Sequence, residues 1–264
     1  VTGAKLTLAT AFPYVGTGRT MTVNGALYCQ NYIVDGPGLF TLAAGATLGL
    51  GHADGITVLA DGAVGNIQTG GTRTYTAGAN YVYNGTVAQI TGSGLSQNAA
   101  NNLTIDNSSV AGVTQANAAN TATTVSVGGT LTLTDGTYDI GGIAGQLNTL
   151  NLNGPAIVGT ATNLASGIYS NLGFGPNTNN NAGLFIPSGI TNLNMLTLNI
   201  VTTNSVTMNS NITLNATGAG ALAVTQGRLL LGNYDLTVLS QLTTGISGGG
   251  STSAMVVADG NGQL

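Results

Sequence analysis

Apolar and polar side chains alternate along this chain in short bursts. Leu6–Leu8, Thr20–Val23, Leu39–Leu42, Ile56–Val58 and Thr72–Thr76 alternate in the first part. Leu103–Ile105, Val125–Val127, Leu131–Thr134, Leu150–Asn153, Leu196–Ile200, Val206–Met208, Ile212–Leu214 and Leu236–Val238 continue the pattern. Each run predicts a short strand with aliphatic side chains on one face and Thr or Asn on the other. Gly, Asn or Asp closes each one. No window sustains the i, i+3, i+4, i+7 apolar spacing of a helix. The stretch Tyr81–Ile105 shows the unit most fully: Tyr81-Val82-Tyr83, the pair Asn84-Gly85, the run Thr86–Thr91, a Gly92-Ser93-Gly94 corner and a further strand from Leu103. Asn-Gly between alternating segments is a strong hairpin signal, because both residues tolerate positive φ. Set among so many similar runs, the stretch reads as one coil of a repeat, with Asn84-Gly85 as its corner.

Many short strands with uncharged corners fit a β-sandwich, a barrel or a solenoid. A sandwich or barrel of this size uses longer strands and puts charge on its solvent face; here the outward positions are Thr and Asn. Such residues can form side-chain ladders between stacked coils. There is also internal similarity: residues 129–140 (GTLTLTDGTYDI) are echoed at 226–236 (QGRLLLGNYDL), and 101–105 (NNLTI) at 194–198 (NMLTL). The expectation is an all-β chain forming a parallel β-helix (β-solenoid), with β-sandwich repeats as the alternative. Coils of about 20–25 residues would give about eleven of them and a rod of about 50 Å. Residues 1–264 are expected to form a single continuous solenoid, with Ser166–Asn181 as a projecting loop that cannot pair regularly. The chain starts at Val1 without Met and stops directly after an alternating segment, which predicts an internal segment of a longer chain.

Composition narrows the function classes. Charged residues are 5% of the chain, with cations only at Lys5, Arg19, Arg73 and Arg228, and with Asp the only acid. The net charge of −4 leaves no basic footprint for nucleic acid. Hydrophobic content of 42% separates the chain from disordered sequences. No apolar run reaches the roughly 18 residues of a membrane helix. The single Cys29 excludes an internal disulfide and reads as a small buried apolar residue.

Candidate chemistry is sparse. His52, the one histidine, lies close to Asp54 and could act as a base or ligand; without a second His or a nucleophile pattern, it reads as a loop residue. Asp135, Asp139 and Asp235 are the nearest thing to the acidic groups of β-helix carbohydrate-active enzymes or to a Ca²⁺ site. Asp135-Gly136 is an ordinary turn pair, and Asp139 and Asp235 share a Tyr-Asp-aliphatic context that suggests a repeated corner. Thr72, Thr74, Thr76 and Thr130, Thr132, Thr134 are the runs that an ice-binding face would use. Tyr75, Tyr81, Tyr83, Tyr138, Tyr169 and Tyr234 could stack on sugars or cap coil ends. Tyr81 and Tyr83 share a face, which predicts burial. Asn-x-Ser/Thr triplets at Asn84, Asn102, Asn107, Asn211 and Asn215 are a chance product of this composition. No residue is assigned a catalytic, metal or cofactor-binding role, and no cofactor is expected.

One ordered series stands out: Phe40-Thr41-Leu42, Gly45–Gly49, Gly71–Tyr75, Ala79–Thr86, Ala88–Gly92, Asn102–Ile105, Gly129–Leu133 and Gly249–Val257. It resembles the very large secreted surface proteins of Bacteroidota, adhesins of the gliding-motility and type IX secretion kind among them. The resemblance runs from about Leu39 to Leu264. It implies an extracellular, cell-surface protein, filament-like or adhesive, and it supplies no catalytic residues. The C-terminal secretion signal of such proteins has no counterpart here, which fits an internal segment. The functional expectation is a segment of a cell-surface filament or giant adhesin without catalysis. Self-association or neighbouring repeats are its expected partners, with surface glycans as further candidates. A polysaccharide- or ice-binding module is the alternative, and a carbohydrate-active enzyme the third reading.

Overall fold

The structure is a computed structural model, and it describes residues 3–10, 14–154, 156–177, 184–248 and 250–264. Short strands pair in parallel with the strands one coil behind and one coil ahead. The result is a β-solenoid of about ten turns, which at about 4.8 Å per coil is a rod of about 50 Å. Two single 3₁₀ turns, Leu59–Asp61 and Ala161–Asn163, are the helical pieces among the described residues. No helix among them is long and apolar enough to cross a membrane.

Each coil has three faces. The first carries Lys5–Thr7, Ala26–Tyr28, Thr47–Leu50, Asn80–Tyr83, Leu103–Asp106, Thr130–Asp135 and Ala156–Gly159, side by side in that order. The second begins with Thr20–Val23, Leu39–Leu42 and Arg73–Tyr75, and a later sheet runs through Thr124–Val127, Asn148–Leu152, Ser170–Asn177 and Met195–Ile200. The third is narrower, with Gln89–Ile90, Val113–Thr114, Tyr138–Asp139 and Leu164–Ala165. One circuit therefore reads Thr124–Val127, Thr130–Asp135, Tyr138–Asp139.

Strand alternation sends every second side chain inward, and parallel register stacks those side chains into columns. Leu27, Leu48, Tyr81, Leu103, Leu131 and Ile157 form one such column. All six are buried, and they belong to one apolar core that extends from Leu8 to Ala254. Full burial of each such side chain contributes about 1.5–3 kcal/mol. Outward columns are polar but mixed. Thr22, Thr41 and Thr74 align on the second face, whereas Tyr28, Gly49, Val82, Thr104, Thr132 and Val158 align on the first.

The Tyr81–Ile105 stretch is one coil: Tyr81 pairs with Leu103, Val82 with Thr104 and Tyr83 with Ile105, all in parallel. Asn84-Gly85 is thus a corner between faces. The expected side-chain ladders are present, with Asn102 Nδ2 donating to Asn80 Oδ1 at 2.9 Å and Asn194 Nδ2 to Asn171 Oδ1 at 2.8 Å.

Several sequence expectations need correction. Ser170–Phe174, expected within a loop that cannot pair, lies in full register between Asn148–Leu152 and Met195–Leu198. Its inward residues Leu172 and Phe174 supply the apolar alternation that the surrounding Gly and Asn obscure. The end of the expected loop, residues 178–181, lies outside the described residues. Ile56–Val58 forms no strand; Ile56 makes one antiparallel bridge to Gly65 at the base of an excursion. That excursion belongs to the longest coil, in which Thr47 pairs with Asn80, 33 residues on. Finally, the echo between 101–105 and 194–198 joins different faces: Leu103 pairs on the first, Leu196 on the second.

Candidate functional site

A triangular coil leaves space in its corners that aliphatic side chains do not fill, and here tyrosines and amides fill it. Tyr75, Tyr81, Tyr83 and Tyr138 are all buried. Burial is as expected for Tyr81 and Tyr83; for all four it corrects the sugar-stacking expectation, because none presents its ring to solvent. Tyr83 donates to Thr91 O at 2.6 Å, Tyr75 to Thr57 O at 3.2 Å and Tyr138 to Gln115 Oε1 at 3.0 Å. Burial drives all four phenols well above their ordinary range. Tyr169 is half-buried and Tyr234 exposed. Tyr138 and Tyr234 thus occupy opposite environments despite their shared Tyr-Asp-aliphatic context.

Arg73 is the residue that reading by sequence misses. It stands beside Tyr75 on the inward side of its strand and is 2% exposed. Its Nε donates to Thr69 O at 3.0 Å, and Nη1 donates to Gly62 O at 2.8 Å and Thr57 Oγ1 at 2.9 Å. Burial pulls its pKa below the ordinary value, against the opposing influence of Tyr75 and Asp35. The guanidinium pins the base of the 33-residue coil's excursion, so its role is architectural. Cys29 is fully buried, as expected, and its thiol is pushed up to about 12 by burial.

The candidate chemical groups do not converge. His52 Nδ1 accepts from the Asp54 backbone N–H at 3.2 Å and lies 3.6 Å from the Asp54 carboxylate. Asp135 caps its own turn by accepting from Gly136 N at 2.9 Å, and Asp235 accepts from Gln263 N at 3.0 Å. No group of three or more His, Cys, Asp or Glu positioned to hold a metal occurs among the described residues. The two Thr runs differ: Thr132 shares its column with Gly49 and Val82, whereas Thr74 continues a column of three threonines with Thr41 and Thr22. Asn107 is buried and held by Gln89, which removes it as a modification site.

One cleft does gather uncommitted polar groups. It lies where the third face turns into the second, at the loops preceding Thr124 and Asn148, and encloses about 220 Å³. Its floor is rigid. Gln115 Nε2 donates to Thr123 O at 3.0 Å and Thr149 O at 2.9 Å, while Asn148 Oδ1 accepts from Thr123 N and Oγ1, both at 2.9 Å. Asp139 is held by its Oδ1, which accepts from Gly141 N at 2.9 Å. Gln146 is held by its Oε1, which accepts from Ala122 N at 2.9 Å. Asn120 adopts a left-handed conformation, φ +49°, at a turn fixed by Asn117. That leaves Asp139 Oδ2, Gln146 Nε2, the Asn120 amide and the Thr114 hydroxyl around one opening. Ile143, 54% exposed, lines its side. Of the sequence-stated candidates only Asp139 is here; the amides around it carried no local signal, since Asn and Gln are common throughout the chain.

Comparison with protein-family models, with curated proteins and with solved structures finds no match.

Proposed function

We propose that this chain is a structural and interaction element without catalysis: an extracellular segment of a cell-surface filament or large adhesin. The observation that carries this reading is the stack itself, one apolar core under in-register parallel strands along the described chain. Such a rod presents long, nearly neutral faces. With 5% charged residues there is little repulsion between neighbouring copies, which favours lateral self-association. The aspartates support the same reading, since Asp135, Asp139 and Asp235 each brace a backbone N–H. Exposure at the cell surface rests on the resemblance to secreted surface proteins.

Negative-stain electron microscopy of the purified chain over a range of concentrations tests the reading, together with antibody labelling of intact source cells. Thin rods that associate as concentration rises, and labelled cell surfaces, are the expected results. Dispersed compact monomers that release reducing ends from polysaccharides would overturn it.

A further inference from the structure

The cleft at the third corner has a composition that selects its ligand. Asp139 is its one carboxylate, and neither Lys nor Arg lines it, so an anion meets repulsion. A hard cation such as Ca²⁺ takes six to eight oxygens, several of them carboxylate; one carboxylate among amides falls short. An apolar ligand would strip water from Asp139, Asn120 and Gln146 without replacing it. A neutral ligand with several hydroxyls satisfies all of these groups at once. One hydroxyl donates to Asp139 Oδ2, others accept from Gln146 Nε2 and the Asn120 amide, and the ligand's C–H surface rests on Ile143.

Size and rigidity agree. About 220 Å³ is below the 300–1,000 Å³ typical of drug-sized sites, and it suits one sugar ring. Asp139 and Gln146 are each fixed by a side-chain hydrogen bond that leaves a second polar atom free, so those two lose little side-chain freedom on binding. Asn120 is placed by its backbone, whose N–H donates to Asn117 O at 3.0 Å. The neighbouring coil edge also exposes Ile168 and half-exposes Tyr169, whose backbone packs against Gly142.

We propose that this cleft is a binding site for a single neutral saccharide unit, centred on Asp139, Asn120 and Gln146. The inference goes beyond the structural role and does not depend on filament formation. It also moves glycan recognition away from the tyrosines, where the sequence suggested it.

The test is an NMR titration of the full chain with the methyl glycosides of glucose, galactose, mannose and N-acetylglucosamine, with calcium chloride as a separate arm. Saturable shifts at the amides of Thr114, Asn120, Gly141 and Gln146 with at least one glycoside are expected. Asp139→Asn keeps the oxygen that braces Gly141, and Asn120→Gly keeps the left-handed backbone. Each is expected to weaken that binding by about tenfold, the equivalent of about 1.4 kcal/mol, with an unchanged melting temperature. The proposal fails if none of the glycosides shifts these amides, if both variants bind as the parent does, or if calcium alone saturates the site.

Discussion

Four tyrosines and one arginine inside a coil of aliphatic strands decide much of the residue-scale behaviour. The parity of Tyr81 and Tyr83 about Val82 is legible in the sequence, and so is their burial. Their hydrogen-bond partners are not, because Thr91 and Thr57 come into range only when the coil closes. Arg73 and Tyr75 share one parity in the run Thr72–Thr76, but a cation gives no signal of facing inward, and its partners on the excursion have no local signal either. The buried phenols have a pH consequence. Burial raises the folded-state pKa of Tyr75, Tyr81, Tyr83 and Tyr138 above the ordinary 10.0, and that of Cys29 from 9.0 to about 12. Above those ordinary values the folded chain holds protons that the unfolded chain releases, so stability falls as pH rises. The melting temperature should be insensitive to these groups below about pH 9 and drop steeply above about pH 10. Phenolate absorbance of four of the nine tyrosines should appear only as the β-sheet circular dichroism is lost; smooth titration of all nine in a folded chain would contradict this.

At the scale of elements, strands were the easiest features to read and corners the hardest. Alternation predicts most strands because the inward column needs an apolar residue at every second position. It fails at Ser170–Phe174, where Gly173 and Asn171 occupy outward positions and hide the Leu172 and Phe174 pair. It also fails at Ile56–Val58, whose alternation suits a strand but whose coil uses it to anchor an excursion. Corners depend on contacts between coils, as two glycines with similar φ show. Gly45, φ +75°, faces open space, whereas a Cβ on Gly92, φ +73°, would lie 2.0 Å from Ile56 O one coil away. Left-handed backbone costs a residue with a side chain about 1–2 kcal/mol, so Gly45→Ala should lose about that much. Gly92→Ala carries the same cost plus a backbone clash and should lose about 3 kcal/mol or more. Urea denaturation of the two variants measures the difference; equal losses would mean that the corner yields freely.

For the whole molecule, outward Thr and Asn where a sandwich would carry charge were enough to favour a solenoid, and about ten coils stand where about eleven were expected. The shortfall traces to uneven winding: Lys5 pairs with Ala26 after 21 residues, but Thr47 with Asn80 only after 33. The cleft was illegible because it is made by adjacent corners, and its residues from Thr114 to Asn148 are distributed over two coils. The stacked architecture also bears on how the chain would carry force. Ladder hydrogen bonds between coils run along the rod, so tension applied to the two ends peels coils away one after another. A coil of 22 residues, such as the one from Tyr81 to Leu103, would release about 75 Å of chain at roughly 3.3–3.6 Å per residue. The coil locked by Arg73 would release nearer to about 110 Å by the same measure. Single-molecule stretching should therefore show a staircase of unequal steps in place of one rupture. A tether built this way lengthens under load while its remaining coils still hold.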